Sequence, residues 1–179
     1  AITKMNEYVV PCKTKKWLDE IDEWQHVHPL TMKKHAEMGP MDIIGEINRQ
    51  FDEAIIVTDV GQHQMFAAQF TEITEKKQII MSGGLGTMGY GFPGAIGAKL
   101  GNPDKPVIMI SGDGGMQMNI QEFATAVLEE LPVILCVFNN TYLGMVRQMQ
   151  QLFYGKRYAA TCLRRQKGET WVSEKSSMS

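Results

Sequence analysis

From residue 40 onward, short apolar runs alternate with longer stretches whose apolar positions recur every three or four residues. The runs 54–58, 78–82, 107–111 and 133–139 are rich in Ile and Val and are bounded by Pro, Gly, Asp or Asn, so they read as buried strands. A helix is expected to start at Pro40 and to turn Met41, Ile44, Ile47 and Phe51 inward. Others are expected over 61–70, from the glycine-rich turn to about Leu100, and over 116–130 with Ile120, Phe123, Ala124, Val127 and Leu128 facing the core. Strands and helices alternating through short loops require parallel pairing with right-handed crossovers. The predicted fold is therefore α/β: a doubly wound parallel sheet with helices on both faces.

The flanks break this rhythm. Residues 1–39 are polar and mixed, with Trp17, Leu18, Ile21 and Trp24 at helical spacing, and read as a short amphipathic helix within a linker or arm from a preceding domain. Residues 40–163 form the expected domain, and 164–179 carry no core-facing period and read as an irregular or disordered tail. The opening Ala1-Ile2-Thr3 has no initiator Met, which suggests a fragment or an excised domain.

Composition narrows the class only modestly. With 179 residues, 44% apolar and 21% charged, the chain is expected to be one ordinary soluble domain with appendages. A formal charge of −2 without a basic block gives no reason to expect nucleic acid or an anionic membrane as a partner. No run approaches the ~20 apolar residues of a membrane span. Cys12, Cys136 and Cys162 show no metal spacing, and Cys136 lies mid-strand as an ordinary core thiol, so a reducing cytoplasm is the expected location. His26, His28 and His35 lack an acidic or Cys partner at ligand spacing, and no metal site is expected there.

Chemistry concentrates at the carboxyl ends of the predicted strands, where open α/β sheets bind ligands. Gly112-Asp113-Gly114, then 24 residues, then Asn139-Asn140 place a carboxylate and a carboxamide side by side at the ends of consecutive strands. The surrounding glycines let a phosphate oxygen approach without meeting a Cβ. Asp113, the amide oxygen of Asn140 and a nearby backbone carbonyl would suit Mg²⁺, which takes hard oxygen ligands in near-octahedral geometry and shares them with phosphates. A helix expected to start near Met116 would add its N-terminal N–H groups. The simpler reading makes Asp113 a helix cap. Gln62 and His63 follow the first strand and could donate to a diphosphate. Met88 and Met145 read as apolar side chains presented from glycine-flanked turns, placed to support a ring.

A competing motif lies between. Gly84, Gly86 and Gly89 spell G-x-G-x-x-G after a strand and before a helix, and Asp113 ends the following strand, close to a dinucleotide-binding fingerprint. Against it, the ribose acid would be wedged among glycines and Asn139-Asn140 would have no role.

The Gly112-Asp113-Gly114 and Asn139-Asn140 pair resembles the cofactor signature of thiamine-diphosphate enzymes. The runs Asp59 to Met65, Ser82 to Gly91, Gln117 to Glu122 and Leu143 to Gln148 extend the likeness, over roughly residues 27–166, to the catalytic large subunit of acetohydroxyacid (acetolactate) synthase. The resemblance implies a thiamine-diphosphate-binding fold, with Mg²⁺ held by Asp113, Asn140 and the main-chain oxygen of Tyr142. It implies that Gln62, His63, Gly86, Gly114, Gly115 and Gly144 surround the cofactor, that Met88 wedges it bent and that Met145 lies near the aminopyrimidine. The implied reaction decarboxylates pyruvate and joins the two-carbon unit to pyruvate or 2-ketobutyrate, on the branched-chain amino-acid route. The resemblance further implies FAD in another domain of the parent, a homodimer or tetramer, and a regulatory small subunit. The activating glutamate would come from a partner's amino-terminal domain, so no catalytic residue and no synthase activity are expected of this chain alone. Gly115 stands where a serine is common, Tyr142 where a histidine is common, and Met149 where many members carry a tryptophan that contacts herbicides. Weak herbicide sensitivity of the parent is the corresponding expectation. From Gly168 onward the likeness ends, as a truncation or a non-native tail would.

Overall fold

A computed structural model describes residues 2–10, 12–30 and 38–164. The chain divides into two compact units, with the boundary between residues 34 and 35. The first contains α1 (Ile2–Asn6) and α2 (Lys15–Val27), neither of which has a buried residue. The amphipathic helix expected around Trp17 and Trp24 is therefore present, while α1 has no counterpart in the sequence reading.

The second unit is the anticipated α/β domain. Its strands are β1 (Ala54–Thr58), β2 (Lys77–Met81), β3 (Val107–Gly112) and β4 (Ile134–Phe138), all parallel, in the order β2-β1-β3-β4. β1 is buried along its whole length, as expected of an Ile/Val run covered on both sides. One face packs Ile55, Val57, Val107 and Met109 against Phe92, Ala95 and Ile96 of α5 (Gly91–Gly101). The other packs Ile56, Ile108 and Ile110 against Ile44 of α3 (Pro40–Gln50) and Ala67 of α4 (Gln62–Phe70). Pro40 opens α3 at its first turn, and Asp42 returns a carboxylate to the Gly39 N–H at 2.8 Å, which fixes the helix start.

Two expectations need correction. The single helix over 116–130 is instead α6 (Asp113–Met116), a 3₁₀ segment (Gln117–Glu122) and α7 (Phe123–Leu128), broken by a non-helical Asn119. Its supposed core face lies largely outside: Ile120, Phe123, Val127 and Leu128 are exposed, whereas Ala126 faces the core. Period alone reports apolarity: Phe123 keeps an edge-on contact with Phe92, and no layer among the described residues covers Ile120, Val127 and Leu128. Cys136 is half-buried because β4 is an edge strand, and burial pushes its thiol pKa up. Strand ends differ from expectation by about one residue. His35 and the tail from 165 onward lie outside the described residues.

Candidate functional site

The sheet order creates the site. β1 and β3 are neighbours, but the chain leaves β1 toward β2 on one side and β3 toward β4 on the other. Connections that diverge in this way open a crevice at the carboxyl ends of the central strands. A cleft of about 730 Å³ lies there, within the second unit. That volume suits a cofactor-sized ligand. Gln62, His63, Gly86, Met88, Asp113, Gly114, Gly115, Asn140, Tyr142, Gly144 and Met145 all line it. The structure thus gathers the residues expected to hold the cofactor and metal, although they come from four separate loops. The start of α3, with Pro40 and Ile43, also contributes a wall that sequence reasoning missed.

Asp113 stands in the first turn of α6, with Gly112 as the N-cap residue. Its carboxylate does not cap the helix, and its Oδ1 is buried without a hydrogen-bond partner among the described residues. An unpaired buried acceptor costs roughly 1–3 kcal/mol, and more when charged, so this atom is set up for a ligand. The same holds for His63 Nε2. The His63 ring fits only because its neighbours lack side chains: a Cβ on Gly61 would come within 2.6 Å of it and one on Gly112 within 3.0 Å. Burial pushes its pKa below the usual histidine value, against the opposing pull of Asp59, a hydrogen bond to the Asp59 backbone, and Asp113. The ring is therefore neutral at neutral pH.

The opposite rim is the loop after β4. Asn140 Oδ1 accepts from the Tyr142 N–H at 2.9 Å, closing an Asx turn in which Thr141 adopts a left-handed φ of 62°. Residues on either side of Tyr142 tie the loop to the segment 161–163, Leu143 N–H donating to Thr161 O and Leu163 N–H to Thr141 O, each at 2.8 Å. That bridge makes no use of the Tyr142 carbonyl. The Arg147 guanidinium lies between the rings of Tyr142 and Tyr158, 4.4 and 4.0 Å from their centroids, and steadies the same loop. A Cβ on Gly144 would meet Gln62 Oε1 and Asn140 Nδ2, so this glycine lets the two rims approach. Gln62 reaches across to donate to Gln148 Oε1 at 2.9 Å.

The donor set fits a magnesium-bound diphosphate. Asp113 with its buried carboxylate oxygen, Asn140 with its side-chain amide and Tyr142 line one cleft whose glycines leave room for phosphate oxygens. Two details correct the sequence picture. Met145 lies in the first turn of α8 (Gly144–Phe153), where a helix start and not a strand-end turn presents it. The helix beyond Gly112 begins at Asp113 and gives way to the 3₁₀ segment after four residues, so it offers less dipole than a long helix at this point.

The dinucleotide alternative fails on geometry. Its fingerprint needs the glycine strand and the acid strand side by side, and here β1 separates β2 from β3. The N–H groups of Gly89 and Gly91, which such a turn would offer to phosphate, are held by the Asp59 carboxylate at 3.0 and 2.7 Å.

Comparison with known proteins agrees with this geometry. Residues 59–171 match the family described as thiamine pyrophosphate enzyme, C-terminal TPP binding domain. The chain belongs to this family. It is also similar to the acetolactate synthase large subunit of Cyanidium caldarium, 46% identical over 82% of this chain and 25% of that protein. Similarity to the acetolactate synthase isozyme 3 large subunit of Escherichia coli K12 is 42% over 81% of this chain and 26% of the relative. A probable acetolactate synthase large subunit of Methanocaldococcus jannaschii is 50% identical over 65% of the chain and 20% of its own length. The chain thus spans about a quarter of the length of the curated relatives it matches. Thiamine diphosphate is accordingly the cofactor for which this domain is built. No helix among the described residues is long and apolar enough to cross a membrane.

Proposed function

We propose that the chain is the cofactor-anchoring domain of an acetolactate synthase large subunit, which holds the diphosphate of thiamine diphosphate through Mg²⁺. The observation that carries this reading is the buried, partnerless Asp113 Oδ1 facing a glycine-walled cleft shared with Asn140. Asp113, Asn140 and the Tyr142 carbonyl hold the metal. Gln62 offers a hydrogen bond to phosphate oxygens, His63 packs beside the diphosphate, and Gly86, Gly114, Gly115 and Gly144 keep the cleft open. Met88 and Met145 supply the apolar contacts for the organic rings. When bound, thiamine diphosphate supplies the chemistry that removes CO₂ from a 2-keto acid and transfers the remaining two-carbon unit. The chain's share is to bind, orient and exclude water.

The substrates on this reading are pyruvate and either a second pyruvate or 2-ketobutyrate, in branched-chain amino-acid synthesis in the cytoplasm. FAD, a homodimeric or tetrameric assembly and a regulatory small subunit belong to the larger enzyme. On this reading the activating glutamate is supplied from outside these 179 residues, and the chain alone makes no product. The test is a paired assay with thiamine diphosphate, Mg²⁺ and pyruvate. A full-length large subunit carrying this sequence forms 2-acetolactate and the isolated chain forms none. Acetaldehyde or acetate from the full-length enzyme would assign it to a different thiamine-diphosphate activity. Since Met149 stands in the herbicide-contacting position, the full-length enzyme resists sulfonylureas, and nanomolar inhibition would contradict that.

A further inference from the structure

The first strand ends in a carboxylate that the proposed site does not use. Asp59 is fully buried and does not line the cleft. Its backbone is fixed in the sheet, the N–H donating to Ile110 O at 2.9 Å. Its Oδ1 accepts from the N–H groups of Val60 at 2.8 Å and Gly89 at 3.0 Å, and Oδ2 accepts from Gly91 at 2.7 Å. Burying a carboxylate costs several kcal/mol unless such charge-assisted bonds offset it. The bonds that offset it here all come from backbone, and two come from one turn.

That turn carries Met88. Gly89 has a left-handed φ of 86°, and its carbonyl accepts from Asn119 Nδ2 at 2.7 Å, so the residue is gripped from both sides. The segment just before it, from Gly83 to Thr87, is exposed, with Leu85 at 95%. Without the carboxylate, the Met88 turn would be continuous with a solvent-facing loop. Close packing makes the arrangement specific: a Cβ on Gly91 would meet the Asp59 backbone nitrogen at 2.8 Å, and one on Gly115 would meet Asp59 Oδ1 at 2.2 Å. One buried acid therefore ties the end of β1 to the Met88 turn, and it packs against Gly115 of α6 without a hydrogen bond to that helix.

We propose that Asp59 is a positioning residue that fixes the Met88 side chain against the organic part of the bound cofactor while leaving the metal anchor to Asp113 and Asn140 on other loops. The proposal rests on the thiamine-diphosphate reading above. It separates two functions within one cleft. Asp113 and Asn140 grip the phosphate end, and Asp59, acting through Gly89 and Gly91, sets the wall that the rings meet.

The test uses the whole 179-residue chain, its Asp59→Asn variant and calorimetry with two magnesium complexes, thiamine diphosphate and inorganic pyrophosphate. Asn keeps the shape but turns one acceptor into a donor facing an N–H. Affinity for thiamine diphosphate is expected to fall about tenfold, roughly 1.4 kcal/mol, while affinity for pyrophosphate stays within about twofold. Met88→Ala should produce the same selective loss, and combining the two should add little, as for residues acting as one unit. The ¹³C-methyl resonance of Met88 in the unliganded chain should shift or broaden in Asp59→Asn. Equal losses for both ligands, or an unchanged Met88 methyl, would overturn the proposal. If the unaltered chain binds neither ligand, the cofactor reading fails, and the Met88 methyl still decides the role of Asp59. If Asp59→Asn does not fold, amide exchange in the unaltered chain decides. Gly89 and Gly91 should exchange at least ~100-fold more slowly than Gly83 and Gly84, and equal rates would refute the clamp.

Discussion

His63 shows how strongly the site depends on what surrounds each side chain. Its ring is 7% exposed, slotted between Gly61 and Gly112, and burial holds its pKa below that of an unfolded histidine. As pH falls below ~6.5 the unfolded chain takes up a proton that the folded chain resists, so folding stability is lost toward acid and is fully present above that value. We expect the melting temperature to drop between pH 7.5 and pH 5.5, and His63→Gln to flatten that drop; a variant with the same slope would assign it to other groups. Asp113→Ala should abolish the magnesium dependence of cofactor binding and lower affinity at least ~100-fold. The melting temperature should hold or rise, because a partnerless buried oxygen is removed. Gly91→Ala should cost about 1–3 kcal/mol, since the added methyl meets the Asp59 backbone, which cannot move aside; denaturant titration measures it. Asp113 and Asn140 could be singled out in the sequence because one sits among glycines at a strand end and the other follows the next strand, and the fold brings both to one cleft. Asp59 could not, because a lone acid after an apolar strand looks like any loop entrance, and only the fold reveals the two glycine N–H groups about thirty residues away that it holds.

At the level of elements, the four strands were readable because β-branched runs between Pro and Gly leave little choice of structure. β1 and β3 are buried at nearly every position, as a central parallel strand must be. The region after Asp113 was misread because helical spacing of Ile120, Phe123, Val127 and Leu128 does not say what those side chains touch. Asn119 leaves the helix, with φ −129°, to reach the Gly89 carbonyl, and the break turns the face outward. The two faces should respond differently to mutation. Phe92, buried on α5 and edge-on to Phe123 at 4.8 Å, should cost about 3–5 kcal/mol when changed to Ala. Val127→Glu in the isolated chain should cost less than ~0.5 kcal/mol, as at other exposed positions. Comparable losses at both sites, measured by chemical denaturation, would mean that the α7 face is covered.

For the molecule as a whole, the decisive property is the order β2-β1-β3-β4, which sets the divergence of loops between β1 and β3 and brings four glycine-containing segments to one cleft. Spacing alone could not distinguish this from a dinucleotide turn, because G-x-G-x-x-G and a downstream acid occur in both. The insertion of β1 between the two strands distinguishes them. The same topology brings the residues proposed to face phosphate to one end of the sheet, within a chain that spans about a quarter of the length of its curated relatives. A ligand that binds only the folded state stabilises it by about 2.7 kcal/mol at a hundred times its dissociation constant, so binding should also appear as a rise in melting temperature. The central claim is tested most directly by calorimetric titration of the chain with thiamine diphosphate, with and without Mg²⁺, alongside NAD. Saturable thiamine diphosphate binding that requires Mg²⁺, with no heat from NAD, is the predicted result. Tight NAD binding abolished by changing Gly86, or thiamine diphosphate binding indifferent to Mg²⁺ and to Asp113→Ala, would contradict the account.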